Sequence, residues 1–594
     1  MKPAEYKTFL KQAFVAPLRS VLIVDDDYPT FEEILRPEDS QSAVARAATE
    51  KAWHTDKPRI LKILNSFRQS KPPLIVDIHD GYNVRPSGEG DVAAHMHQSD
   101  LLVLDYSLDK TQPNDGTKAI EIVRRILAND HFNLVVLHTG TNLDKVFNEL
   151  LAGILAPVGP WLSDEQTQAV ADRLGPFEDK DEDLLARLEA TIGLAHYVFF
   201  RNGDQGARAW PLRPVAKAPS IAGFTAEAEK LGFMSQGDQK SLALYLLARR
   251  EKAMSETMLK APLGDLTWST GDRRWIRSDS GFIAFTSKKA EKNLLDELVL
   301  ALADWRPPPS RLFLAKMRAE IDRRGVAAES KALGNKAVLA QWYRTLLDAD
   351  DTARGLRIAE SLGRHSDLLM ADILPEVSKF AGSMIKADMK SGTAIERSKD
   401  WFGFDLANDN KFAEAVAEHN VFVCSKAPEL LHLATGHIFE AEGGKWICLS
   451  PMCDLVPGQK TASTRFGAMK GLMPFVAVRL HEPSMKAAKD VNSNRFFFLK
   501  IDGAIQAFSF GQKEGTNPQW FNLYAAREGR FDKGGFSYRR VELDAKGVLK
   551  AKPVRAKVMG QLRYEYALNL MNRLGSSMTR VGLDFIGGPA EEDE

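Results

Sequence analysis

Short apolar runs alternate with helix-periodic segments along the first part of the chain. Ser20–Val24 (SVLIV), residues 73–78 (PLIVDI), Leu101–Leu104 (LLVL) and residues 134–137 (LVVL) are β-branched and almost continuously apolar, the pattern of strands buried on both faces. Between the last two, Ala119, Ile122, Val123, Ile126 and Leu127 fall on one side of a helix over residues 117–128. Strand, one-faced helix, strand predicts βαβ units and a parallel sheet. Two long inserts, at 27–71 and after Gly140 through 163–192, have helical character and are expected to be folded elaborations.

The pattern changes after residue 214. Residues 237–258 predict a helix. A hairpin is expected over 266–287, from LTWS through RRWIR to FIAFTS. A helix over 290–305 ends at Pro307, Pro308 and Pro309. Residues 310–390 read as mostly helical and 391–410 as a linker. The stretch 421–552 is strand-rich, and an amphipathic helix over 561–574 closes it.

Composition removes several classes. With 594 residues, three to five domains are expected. Lys+Arg and Asp+Glu balance at 79 each, so nothing marks the whole chain as a nucleic-acid or membrane binder. Three cysteines, Cys424, Cys448 and Cys453, are too few for a disulfide framework and fit a reducing cytoplasm. No signal peptide and no apolar run long enough to span a bilayer is expected. The closing Glu-Glu-Asp-Glu reads as a solvated tail.

Carboxylates fall where an open parallel sheet places its binding site, at the carboxyl ends of strands. Asp25 and Asp26 follow the first run, Asp105 the third, and Thr139 the fourth, with His138 between. A carboxylate attacks phosphorus to give an acyl phosphate once negative charge is neutralised, which a hard Mg²⁺ on few carboxylates achieves. A hydroxyl at the neighbouring strand end then bonds the phosphoryl oxygen and resets the adjoining loop.

VLIVDDD, then LLVLDYSL with DGTKAIEIVRRI, then VVLHTG resembles a response-regulator receiver domain. The resemblance implies a flavodoxin-like fold, Mg²⁺ on Asp25, Asp26 and Asp105, Asp105 as phosphoacceptor, Thr139 as switch hydroxyl and a sensor histidine kinase as partner. Asp115-Gly116 matches the family's loop before the third helix. The first acidic pair lies further from Asp105 than in ordinary receivers. The family's lysine after the fifth strand has no fixed place: residues 197–200 (YVFF) are followed by Arg201, residues 282–286 (FIAFT) by Lys288, and absence is the third alternative. The large receiver joined to undescribed domains also resembles receiver proteins of two-component phage-defence systems such as Detocs. That implies a phosphoryl intermediate or buffer, with a further response regulator as a second partner.

The expected organisation is multidomain α/β. It comprises a doubly wound receiver over 1–213, a hairpin-plus-helix domain over 214–309, a helical region over 310–400, and an α+β strand-rich domain over 411–594.

Other residues invite chemistry and have plainer readings beside it. His95 and His97 at i, i+2 diverge on a helix and read as surface histidines. His365 on a helix has the setting of a phosphotransfer histidine, as any exposed histidine does. Arg273, Arg274 and Arg277 alternate with Trp268, Trp275 and Phe282, suiting base stacking or a packed aromatic face. In residues 436–455 (GHIFEAEGGKWICLSPMCDL), His437, Cys448, Cys453 and Asp454 suit a zinc site, a thiol nucleophile or a structural loop. This stretch resembles a GDIF...SPxCDL signature in bacterial proteins of mobile or defence loci. An effector enzyme there, gated by the receiver, and a receiver-like scaffold are the alternative functions.

Overall fold

The computed structural model describes residues 1–35, 56–81, 99–109, 112, 114–129, 131–201, 219–289, 292–333, 335–349, 351–428, 432–457, 471–484, 496–511 and 517–579. His95, His97 and the acidic residues 591–594 lie outside these. The chain divides into two compact units, one of Met1–Arg323 with Glu376–Ser391, the other of Arg324–Pro375 with Gly392–Glu594. The boundaries expected near residues 213 and 309 therefore fall inside the first unit. Among the described residues no helix is long and apolar enough to cross a membrane.

The first unit is built on β1 (Ser20–Val24), β2 (Ile75–His79), β3 (Leu101–Leu104) and β4 (Asn133–Thr139), followed by β5 (Thr267–Ser269), β6 (Trp275–Arg277) and β7 (Gly281–Ser287). They form one sheet in the order β2-β1-β3-β4-β7-β6-β5. The first five in that order are parallel, and β6 and β5 extend the sheet antiparallel. This is the doubly wound arrangement expected. Every residue of β3 and β4 is buried, which explains their unbroken apolar runs.

The helices α1 (Lys57–Arg68), α2 (Thr117–Leu127), α3 (Leu143–Ile154), α4 (Leu194–Phe200) and α5 (Leu294–Trp305) belong to the same unit. Helix α2 buries the five apolar residues its periodicity selected. Asn142 starts α3 by accepting from the backbone N–H groups of Asp144 and Lys145. One apolar cluster joins one face of the sheet to α2, α3 and the insert helices. At about 1.5–3 kcal/mol per fully buried aliphatic side chain, it is the main cohesive element of this unit.

Two expectations are corrected here. Residues 197–200 form α4 rather than a strand, and all four are buried. Tyr197 donates to Glu251 and accepts from Arg201, so the YVFF run is insert core. The expected linker 391–410 contains a helix, Ala394–Phe402, whose Thr393 and Glu396 form a capping box.

In the second unit, α6 (Asp409–Cys424) precedes β8 (Ser425–Lys426), β9 (His437–Ala441), β10 (Gly444–Cys448), β11 (Leu472–Leu480), β12 (Phe496–Ile501), β13 (Ala504–Ser509), β14 (Trp520–Ala526), β15 (Gly535–Leu543) and β16 (Leu549–Leu562), and α7 (Tyr564–Met578) follows. The order β15-β14-β11-β10-β9-β16 closes because β15 also pairs with β16, giving a barrel-like antiparallel sheet. Closure leaves these strands without the open edges that invite aggregation. Phe439, Phe475, Phe536 and Tyr538 meet mostly edge to face within one of the barrel's clusters. The β12–β13 hairpin contributes to a separate cluster with Cys424 of α6 and Leu570 and Leu574 of α7.

Candidate functional site

The parallel strands of the first unit end at a common rim. Backbone bonds extend the ladder one residue beyond the strands. Asp105 N–H donates to Val24 C=O at 2.9 Å, and Lys288 N–H to Thr139 C=O at 2.8 Å. Asp25, Asp105, Thr139 and Lys288 are thereby fixed by the sheet itself. The sheet order reverses between β1 and β3, and this switch point is where doubly wound folds bind ligands.

Asp25, Asp26 and Asp105 each offer an oxygen within 4.8 Å of the others. Asp25 and Asp105 are buried, with Asp26 at the partly open mouth. The Lys288 ammonium bridges the two buried acids, 2.6 Å from Asp25 Oδ2 and 2.7 Å from Asp105 Oδ2. Their remaining oxygens accept backbone donors, Asp25 Oδ1 from Asp27 N–H at 3.0 Å and Asp105 Oδ1 from Tyr106 N–H at 2.7 Å.

Electrostatics follow from this crowding. Burial pushes the Asp25 carboxyl well above the usual carboxylate range, Lys288 pulls it back in part, and Asp105 adds to the rise. Burial opposes the charged form of Lys288, yet the two carboxylates outweigh it and hold the ammonium above its ordinary value. His138 is brought down to about 3 by burial and by the Lys288 and Arg59 charges, so it is a neutral neighbour.

Hard oxygen donors on three carboxylates suit a small divalent cation such as Mg²⁺, which keeps open positions for phosphoryl oxygens. Thr139 is buried, and its Oγ1 accepts from Thr141 N–H at 3.3 Å. Thr141 Oγ1 donates to Asn114 Oδ1 at 3.0 Å, tying the loop after β4 to the loop after β3. One neighbouring contact was not foreseen from the sequence. The Tyr106 hydroxyl donates to Glu149 of α3. A Cβ on Gly116 would lie 2.0 Å from the Tyr106 ring, so any larger residue there requires the ring to shift.

The structure brings Asp25, Asp26, Asp105 and Thr139 to one rim and adds Lys288 from β7. Arg201, the alternative cation, bonds Glu251 and the Ala156 carbonyl within the insert. The other candidates lie elsewhere. Trp268, Trp275 and Phe282 are buried, Phe282 stacks on Trp305 of α5, and Trp275 Nε1 donates to Asp304. That is the packed aromatic face rather than a base-stacking one. His365 is exposed, its Nδ1 2.6 Å from the Ser361 carbonyl oxygen one turn back.

In the second unit, Cys448 is fully buried and burial pushes its thiol up to about 12. Cys453 is exposed in the turn Met452–Leu455, 3.7 Å from Asp454. His437 is buried with Nδ1 accepting from Ala434 N–H. Among the described residues the three aspartates are the sole metal-ligand group, so Cys448, Cys453 and His437 assemble no zinc site.

Residues 17–176 match the response receiver domain family, just over a quarter of the chain. The match takes in β1 to β4 and stops before β7. No curated protein and no solved structure matches the chain. This part of the chain is thus similar to response receiver domains, a class associated with phosphoryl-accepting two-component signalling, and it lies on a flavodoxin-like sheet whose first five strands are parallel.

Proposed function

We propose that Asp105 accepts a phosphoryl group from the phosphohistidine of a sensor kinase, with Mg²⁺ held by Asp25, Asp26 and Asp105. The observation that carries this reading is the Lys288 ammonium lying between Asp25 and Asp105. A cation after the fifth strand, in contact with the acid after the third, is the part of the receiver set that the sequence left open.

In the transfer, a bond forms between an Asp105 carboxylate oxygen and phosphorus while the histidine N–P bond breaks and the imidazole leaves. Bound Mg²⁺ supplies charge neutralisation and a template for the phosphoryl oxygens. Lys288 offers its protons to a phosphoryl oxygen in place of one carboxylate, and Thr139 offers its hydroxyl from the next strand end. A shift of Thr139 would pull on Thr141 and Asn114, a route from the rim into both loops. The resemblance to two-component phage-defence receivers makes antiviral defence the setting we favour, with the protein as phosphoryl intermediate or buffer.

The test is incubation with Mg²⁺ and acetyl phosphate, then with candidate kinases, reading intact mass. A base-labile gain of one phosphoryl group that disappears in Asp105→Asn supports the reading. No gain from any donor overturns it in favour of a receiver-like scaffold.

A further inference from the structure

The charge balance of the whole chain conceals a local asymmetry in the barrel unit. Residues 539–557 hold seven Lys or Arg and two Asp or Glu. They form the outer part of the β15–β16 hairpin, whose register fixes which side chains share a face. The cross-strand pairs Gly535–Lys557, Ser537–Arg555, Arg539–Pro553, Val541–Ala551 and Leu543–Leu549 alternate with pairs that include the buried Phe536, Ala556 and Tyr538. The first set therefore points away from the barrel core.

That outward face has two halves. Towards the turn it is aliphatic: Val541 is 46% exposed, Leu543 68%, Leu549 68%, and Val548 beside them 54%. Towards the barrel it is cationic, with Arg539, Arg555 and Lys557. Arg539 and Lys557 enter no ion pair among the described residues, and the Arg555 guanidinium meets only the neutral Asp532 carbonyl. By contrast, Arg540 and Lys552 on the inward face are matched by Glu442. On the neighbouring β14, Tyr524 stands opposite Arg539, and alternation puts the exposed Trp520 on the same outward side.

We propose that this face lies on an anionic lipid surface, aliphatic half in the interface and cations at the headgroups. The most exposed apolar side chains on it are aliphatic, which suits acyl chains better than stacked bases. Trp520 and Tyr524 are of the types that favour a membrane–water interface. Exposed apolar surface beside unpaired cations supplies the two signals that peripheral attachment requires.

The test is flotation of the full chain with vesicles of phosphatidylcholine alone or mixed with phosphatidylglycerol. Binding is expected only with the anionic mixture and should weaken with salt. Arg539→Ala with Lys557→Ala should weaken it by roughly thirtyfold. Leu543→Ser with Leu549→Ser should abolish it while leaving thermal unfolding near that of the parent, since both side chains are exposed. Absence of flotation with the anionic vesicles, or flotation unchanged by both double variants, overturns the proposal. So does tight binding of a single-stranded oligonucleotide that the Arg539 and Lys557 variant loses while flotation persists.

Discussion

Lys288 Nζ lies 2.7 Å from Asp105 Oδ2 although 183 positions separate the two residues in the chain. The contact exists because β7 pairs in parallel with β4 along its whole length, so Ser287 ends level with Thr139 and the next residue turns over the rim. Removing the ammonium leaves two buried carboxylates without their shared cation. Lys288→Met should therefore lower stability of the first unit by about 3–5 kcal/mol. Urea unfolding would register this, with added Mg²⁺ recovering part of the loss. Acetyl phosphate labelling of Asp105 should fall in the same variant.

Arg201→Met separates the two cations by role. Arg201 bonds Glu251 and Tyr197 inside the insert, away from the rim. The variant should lose stability on a similar scale, since Glu251 is buried. Its phosphoryl uptake, measured by intact mass at a temperature where it stays folded, should match the parent.

Gly116 is held against the Tyr106 ring. In Gly116→Ala the ring must move, and the Tyr106–Glu149 bond goes with it. A cost of about 1–3 kcal/mol is expected. Tyr106→Phe with Gly116 intact should cost about 1 kcal/mol, the ordinary loss of one hydrogen bond. Comparing the two by thermal unfolding distinguishes displacement of the ring from loss of the hydroxyl.

Proton linkage at the rim has a definite sign. The folded protein holds a proton on Asp25 more tightly than the unfolded chain does, so protons compete with a divalent cation over a range above that of an ordinary carboxylate. Mg²⁺ affinity should rise as pH increases through that range, with proton release on binding. Calorimetry in buffers of different ionisation enthalpy measures the release, which Asp25→Asn should remove. Lys288 acts at the other end of the scale. Its raised value means its contribution is complete below the ordinary lysine range and lost as pH climbs through the higher folded value.

The three thiols should differ in reactivity. Cys453 is exposed, whereas Cys424 and Cys448 are buried and burial raises both. A thiol reagent should modify one cysteine quickly in the folded protein, none in Cys453→Ala, and three after unfolding.

Much of the first unit was legible because its strands are short, unbroken and buried on both faces. Asp25, Asp105 and Thr139 could be placed at strand ends without any contact being known. The fifth strand was harder for a physical reason. YVFF and FIAFT are both apolar, and runs of that length do not distinguish a strand from a buried helical turn. What decides is the partner: residues 281–287 find the open side of β4, while Tyr197–Phe200 find the insert core. The helix Ala394–Phe402 was missed although Thr393 and Glu396 spell a capping box. In the barrel, strand content was readable, but closure through the β9–β16 pairing was not, since nothing local specifies that the last strand meets the first.

The place of β7 in the chain also bears on synthesis. When Thr139 leaves the ribosome, β4 has its β3 neighbour and nothing on its other side. Its second neighbour begins only at Gly281. At elongation rates of about 5–20 residues per second, roughly 7–30 seconds pass before that strand emerges. For that interval a strand with an LVVL centre presents open backbone donors and acceptors, so the nascent chain should depend on chaperones far more than a compact receiver whose five strands follow in quick succession.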